Sequence, residues 1–168
     1  MGKGEETRSM ILDAALAQAS EAGFESLTIG TLANKTGLSK SGLFAHFGSR
    51  EELQIATLDH AAQRFIATVM TPAMQAERGL PRLHAIFERW LTWTQCNALG
   101  FGCPLPAASI EFDDSPGPVR DHIVAHFTRL QSALERALVL AVGAGHLCDD
   151  LDTGQTVFEI LGIIFSYY

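Results

Sequence analysis

Apolar residues recur at every third or fourth position through almost the whole of this 168-residue chain, and no segment sustains an alternation of apolar and polar residues. Spacing of three to four lines up side chains on one face of a helix, whereas a half-buried strand needs a period of two. The pattern therefore dictates an all-α fold. A first helix over 7–22 would bury Ile11, Ala15 and Ala19, with Leu12 and Leu16 beside them. Gly23 then serves as a left-handed stop, and Phe24 tucks back into the core. Thr28 suits the N-cap of a short helix over 29–36 ended by Gly37, and Ser39 the cap of another over 40–46. Ser49 and Glu52 have the S-x-x-E spacing of a capping box, opening a long helix to about Met70 that Pro72 closes.

Beyond a linker containing Gly79, Pro81 fits the first turn of a helix to about 97, with Leu83, Phe87, Trp90, Leu91 and Thr94 on one broad face. Residues 100–119 hold four of the six prolines and read as a loop around one short helix near 106–112. Ser115 and Pro116 then start a long helix that Gly143 and Gly145 end, and a last helix begins at Asp152. That last helix is apolar over most of its surface.

Several function classes fall away on sequence grounds. No apolar run reaches the roughly 18 residues of a membrane span, and MGKGEETRSM lacks the apolar core of a signal peptide, so a cytoplasmic protein with no membrane partner is expected. Cys96, Cys103 and Cys148 are odd in number and widely spaced, which fits neither a disulfide framework nor a zinc knuckle. No phosphate loop, no H-E-x-x-H and no G-x-S-x-G is present, so neither an enzyme nor a cofactor is expected. His122 and His126 stand four apart on one helix face, with Glu111, Asp113, Asp114 and Asp121 as acidic neighbours in sequence. Two helical histidines without a third clear ligand read as solvent-facing polar residues, and no metal is expected.

The charge is unevenly spread. The net charge is −7, yet residues 1–50 hold five Lys or Arg against five acids, while 51–168 hold seven Arg against fourteen acids. Residues 26–50 contain Lys35, Lys40 and Arg50 and no carboxylate. A locally basic element on an acidic body suits a DNA-reading head carried by a second domain, and predicts a division into 1–50 and 51–168. Two short helices joined by a tight glycine turn behind a supporting helix are the helix-turn-helix arrangement, whose second helix enters the major groove. Here that helix offers Lys40, Ser41, Gly42, Phe44 and His46 at its non-core positions, with Leu43 and Phe47 turned inward. Gly42 costs about 1 kcal/mol relative to Ala in a helix, which close approach to DNA would explain.

The segment LTIGTLANKTGLSKSGLFAHFGSREEL, 27–53, together with ILDAALAQASEAGFESL before it, resembles the TetR family of transcriptional regulators. The resemblance implies that Thr28, Ser39, Lys40, Ser41, Phe44, His46 and Arg50 lie along the DNA, mainly on phosphates, with Ser41 and Gly42 nearest the bases. Phe44 stands where the family usually has Tyr, and Arg50 where it usually has Lys. The resemblance also implies a ligand-responsive repressor released from a palindromic operator by a small molecule, and the apolar composition, with no Lys beyond Lys40 and the seven Arg of 51–168 scattered, favours an apolar one. It implies a homodimer formed through the helices at about 118–143 and 153–168, the second of them incomplete at Tyr168. The effector pocket would draw on Phe65, Phe87, Trp90, Trp93, Cys96, Phe101, Cys103, Phe112 and Phe127.

Overall fold

The computed structural model describes residues 2–96 and 104–167, and among them every regular element is helical. In chain order these are α1 (Lys3–Ala22), a 3-10 turn (Phe24–Ser26), α2 (Ile29–Thr36), α3 (Lys40–Phe47) and α4 (Arg50–Phe65). A π turn (Ile66–Met70), α5 (Thr71–Ala73), α6 (Leu80–Cys96), α7 (Pro104–Glu111), α8 (Pro118–Gly143) and α9 (Thr153–Tyr167) follow.

Most boundaries follow from the local chemistry anticipated above. Thr28 Oγ1 accepts from Thr31 N at 3.0 Å and Ser39 Oγ from Gly42 N at 3.1 Å, so both short helices carry the expected caps. Ser49 Oγ likewise accepts from Glu52 N at 3.0 Å. Gly37 takes the left-handed conformation that ends α2 (φ 71°, ψ 12°).

Four boundaries differ from expectation, each for an identifiable reason. α1 starts at Lys3 instead of residue 7, because the Glu5 carboxylate reaches back to Gly2 N at 2.9 Å and so extends the helix towards the terminus. Gly23 has a positive φ of 82° but a ψ of 160°, which is extended and not the left-handed helical stop. Pro72 does not close α4. The chain passes into the π turn, where Thr71 N bonds Ile66 O, and Pro72 then sits in the first positions of α5, where its missing N–H costs least. α8 begins at Pro118 and not at Ser115, since a residue preceding proline avoids the helical region and Gly117 sits at φ 152°.

The chain packs as two compact units. The first comprises residues 2–64 with 104–124, the second 65–96 with 125–167. In the first, Ile11, Leu16, Phe24, Leu27, Leu32 and Leu43 are wholly buried, which is the α1 stripe and the inward faces of α2 and α3 read from the sequence. In the second, Val69, Ile86, Leu134 and Ala141 form a dry centre around which Phe65, Trp90 and Trp93 pack. No helix is long and apolar enough to cross a membrane among the described residues.

Leu43 is the inward anchor of α3, fully removed from solvent. Leu43→Ala is expected to lower the unfolding free energy by about 2–5 kcal/mol, read as a shift in the urea midpoint.

Candidate nucleic-acid interface

α2 and α3 pack through Leu32, Ala33, Leu43 and Phe47 and leave the opposite side of α3 to solvent. Ser39, Lys40, Ser41 and Phe44 are all exposed on it, Phe44 by 51%. A half-exposed phenyl ring is poorly placed for stability alone and well placed to meet a sugar or a base edge. The Lys40 side chain lies across Gly30, where a Cβ would stand 3.7 Å from its Cε, so the glycine in α2 gives the cation room along the surface. Ser41 Oγ is 3.1 Å from Ser39 Oγ, leaving two hydroxyls side by side at the start of α3. The N-terminal N–H groups of this helix and Lys40 together favour an anionic oxygen there.

The other anticipated contacts are placed differently. Thr28 is half-buried, with its hydroxyl engaged in the α2 cap. His46 lines a polar cleft of about 330 Å³ together with Arg8, Phe47, Glu52, Asp59 and His60, so only part of its ring is open at the α3 surface. A Cβ on Gly42 would meet Ser39 Oγ at 3.2 Å. Crowding of the α3 cap therefore accounts for this glycine as well as close approach to DNA would. Lys35 pairs with Glu21 at 3.2 Å, which offsets one of the three cations of 26–50.

Arg50 departs most from its anticipated role. Its Nε donates to Leu27 O at 3.0 Å and its Nη2 to Glu25 O, so the guanidinium is turned onto the main chain of the 3-10 turn. The same turn is held from other sides. Gln54 Nε2 donates to Phe24 O at 2.9 Å, and Gln18 Nε2 to Ser26 O at 3.0 Å. Glu111, at the end of α7, accepts from Phe24 N at 2.8 Å and Glu25 N at 2.5 Å. Gly23 is required beside it, because φ is +82° and a Cβ would lie 2.9 Å from Glu111 Oε1. Side chains of α1, α4 and α7 thus fix a turn that runs directly into the α2 cap and so sets where α3 is presented. Local pattern could not reveal this, since the Glu111 bonds span more than eighty residues.

Glu111 is consequently unavailable to the histidines of α8. His122 Nε2 instead lies 2.7 Å from Asp59 Oδ1 of α4, a residue the sequence reading did not connect with it.

Of the anticipated effector-pocket residues, Phe65, Trp90 and Trp93 are buried together in the second unit, with Phe65 T-shaped to both indoles at 4.9 and 6.3 Å. Phe87 and Trp90 line an apolar groove of about 300 Å³ between α6 and α9. Phe127 stacks against Phe165 at 5.6 Å. Phe112 is buried in the first unit. The Cys96 side chain, Phe101 and Cys103 lie outside the described residues.

A helix-turn-helix head with a carboxylate-free reading helix, followed by a separate helical body, defines a DNA-binding regulator. Residues 11–57 match the model of the tetR family of bacterial regulatory proteins, and residues 79–167 that of the tetracyclin repressor-like C-terminal domain. The chain belongs to the TetR family, whose members act as DNA-binding transcriptional regulators and not as enzymes. Solved structures share the fold. A TetR-family regulator from Agrobacterium tumefaciens is 18% identical with a TM-score of 0.85, covering 98% of this chain and 86% of its own. One from Chloroflexus aurantiacus is 24% identical with a TM-score of 0.81, over 96% and 82% of the two chains. AibR, crystallised with isovaleryl coenzyme A and operator DNA, is 21% identical with a TM-score of 0.76, over 94% and 84%. A search of curated protein sequences returned no match.

Glu111→Ala removes both carboxylate bonds to the turn and leaves Phe24 N and Glu25 N to find other partners. A loss of about 1–3 kcal/mol in unfolding free energy is expected, together with weaker DNA binding at temperatures where the variant is folded. Denaturant titration and fluorescence anisotropy on the same preparation read the two effects.

Proposed function

We propose that this protein is a ligand-responsive repressor, binding a palindromic operator as a homodimer and released by a small, apolar effector. The observation that carries the reading is the exposed face of α3, where Ser39, Lys40, Ser41 and Phe44 stand together without an acid. Lys40 acts on phosphate, the serines and Phe44 on sugar and base edges, and Gly42 lets the backbone come close. Arg50 holds the turn behind the head and keeps its positive charge there. The functional head is residues 1–50, although α4 packs with it.

Dimerisation would present two reading helices roughly 34–36 Å apart, matching successive major grooves on one face of DNA. The apolar side chains exposed on α8 and α9, including Val139 at 54%, Phe158 at 72% and Ile163 at 70%, support a partner surface there. Release follows if the effector prefers a head geometry that misfits the operator, since a ligand shifts an equilibrium only by its differential affinity. The Glu111 contact supplies one route, because any movement of α7 loosens the turn that leads into α2. An apolar effector accords with the carbon-lined groove of the second unit.

The test is a mobility shift on DNA from upstream of the protein's own gene, at several salt concentrations. Saturable, salt-sensitive binding to a palindrome is expected. Lys40→Ala should weaken binding across all sequences and reduce the salt slope by about one per head. Absence of binding by a confirmed dimer would overturn the repressor reading. Phe44→Tyr offers a gain-of-affinity check, since a hydroxyl at this exposed position adds a phosphate contact; a few-fold tighter binding is expected.

A further inference from the structure

The two histidines four apart on α8 acquire from the fold a third ligand that sequence pattern did not supply. α8 is unbroken from Pro118 to Gly143, so His122 and His126 project from successive turns of one face. Asp59, in the second half of α4, places its Oδ1 2.7 Å from His122 Nε2. One ligand atom from each of Asp59, His122 and His126 lies within 4.8 Å of the other two. Asp59 and His122 belong to the first unit, and His126 follows one turn on along the same helix. All three residues are half-buried, with the His122 and Asp59 side chains 31% and 41% exposed. Asp59 also lines the polar cleft of about 330 Å³, which gives an ion a route in from solvent.

The separations are close to those a small divalent ion requires. With bonds of about 2.0 Å to imidazole nitrogen and carboxylate oxygen, the ligand atoms around a tetrahedral ion stand about 3.3 Å apart. The 2.7 Å pair must open by roughly 0.6 Å and the widest separation close by at most about 1.5 Å. Rotation about the χ angles of side chains that are partly open to solvent covers both changes. The donor set also selects among ions. Magnesium and calcium take shells of oxygen and cuprous copper takes sulfur, whereas two imidazoles with one carboxylate suit zinc and its neighbours.

We propose that Asp59, His122 and His126 form a binding site for a divalent transition ion, Zn²⁺, with three protein ligands and the fourth position left to water. His122 Nε2 can donate to Asp59 or bind the ion, and not both. When the ion enters, a neutral ring therefore moves its proton to Nδ1, and a charged ring releases one proton. The ion then makes the link between α4 and α8 that the hydrogen bond makes without it. The site stands independently of the repressor reading.

The experiment titrates zinc chloride into the full, metal-stripped chain by calorimetry, with magnesium chloride as the control ion and Co²⁺ as an optical probe. The expected result is one Zn²⁺ per chain, no saturable heat with Mg²⁺, and the intense visible absorption of four-coordinate Co²⁺, bleached by Zn²⁺. Zinc should also raise the Tm, and EDTA should reverse the rise. Asp59→Asn keeps an acceptor for His122, and with it the fold, but removes the anionic ligand. It and His126→Ala should each weaken zinc binding by about a hundredfold, with circular dichroism unchanged. His84→Gln and Cys148→Ser, an exposed imidazole and an exposed thiol elsewhere, should leave binding unchanged.

Zinc held equally well by Asp59→Asn and His126→Ala would overturn the site, as would a loss in Cys148→Ser or the pale spectrum of six-coordinate Co²⁺. No saturable binding would overturn it too, leaving His122 and Asp59 as an interhelical ion pair and nothing more. One ion shared by two chains would place the metal at a contact between copies and reject this triad equally.

Discussion

The presentation of the reading helix depends on a three-residue turn. Phe24–Ser26 has too few residues to satisfy its own backbone, and its polar groups would be costly if left unpaired next to a buried phenyl ring. Gln18, Arg50, Gln54 and Glu111 meet them from α1, α4 and α7. Three helices thereby contribute to its position, and Thr28, two residues on, caps α2. A hydrophobic core alone would tolerate small slides of one helix on another. Directed bonds from three helices to one turn restrict such slides.

This arrangement explains the split between what could be read from the chain and what could not. The caps at Thr28, Ser39 and Ser49, the stop at Gly37 and the stripe of α1 are decided within a few residues, by side chains whose partners lie three or four positions away. The faces of α2 and α3 were equally legible, because burial follows helical period. Arg50 and Glu111 were not, since their bonds run to main-chain atoms 23 or more residues distant and leave no periodic trace. Pro72 misled for a related reason: a proline normally ends a helix, but the preceding π turn shifts the register and makes the missing donor harmless.

The two units follow different physical rules. The first is wired with polar bonds that position a surface. The second is dominated by aromatic and aliphatic packing around Phe65, Trp90 and Trp93, with two indole donors unmet among the described residues. A region meant only to be stable would place phenylalanine where these indoles stand, retaining the ring area without the buried N–H groups.

The overall charge of −7 opposes a DNA ligand until distance is considered. At 0.15 M ionic strength the Debye length is about 8 Å, so repulsion between phosphates and acids well away from the contact is largely screened. Contacts within a few ångströms, such as those proposed for Lys40 and the start of α3, would keep most of their strength. The run 26–50 carries no acid, so if DNA approaches there, local depletion of carboxylates outweighs the total. Excess acid elsewhere has a use of its own. Like charge elsewhere on the chain would disfavour approach of DNA by acidic faces.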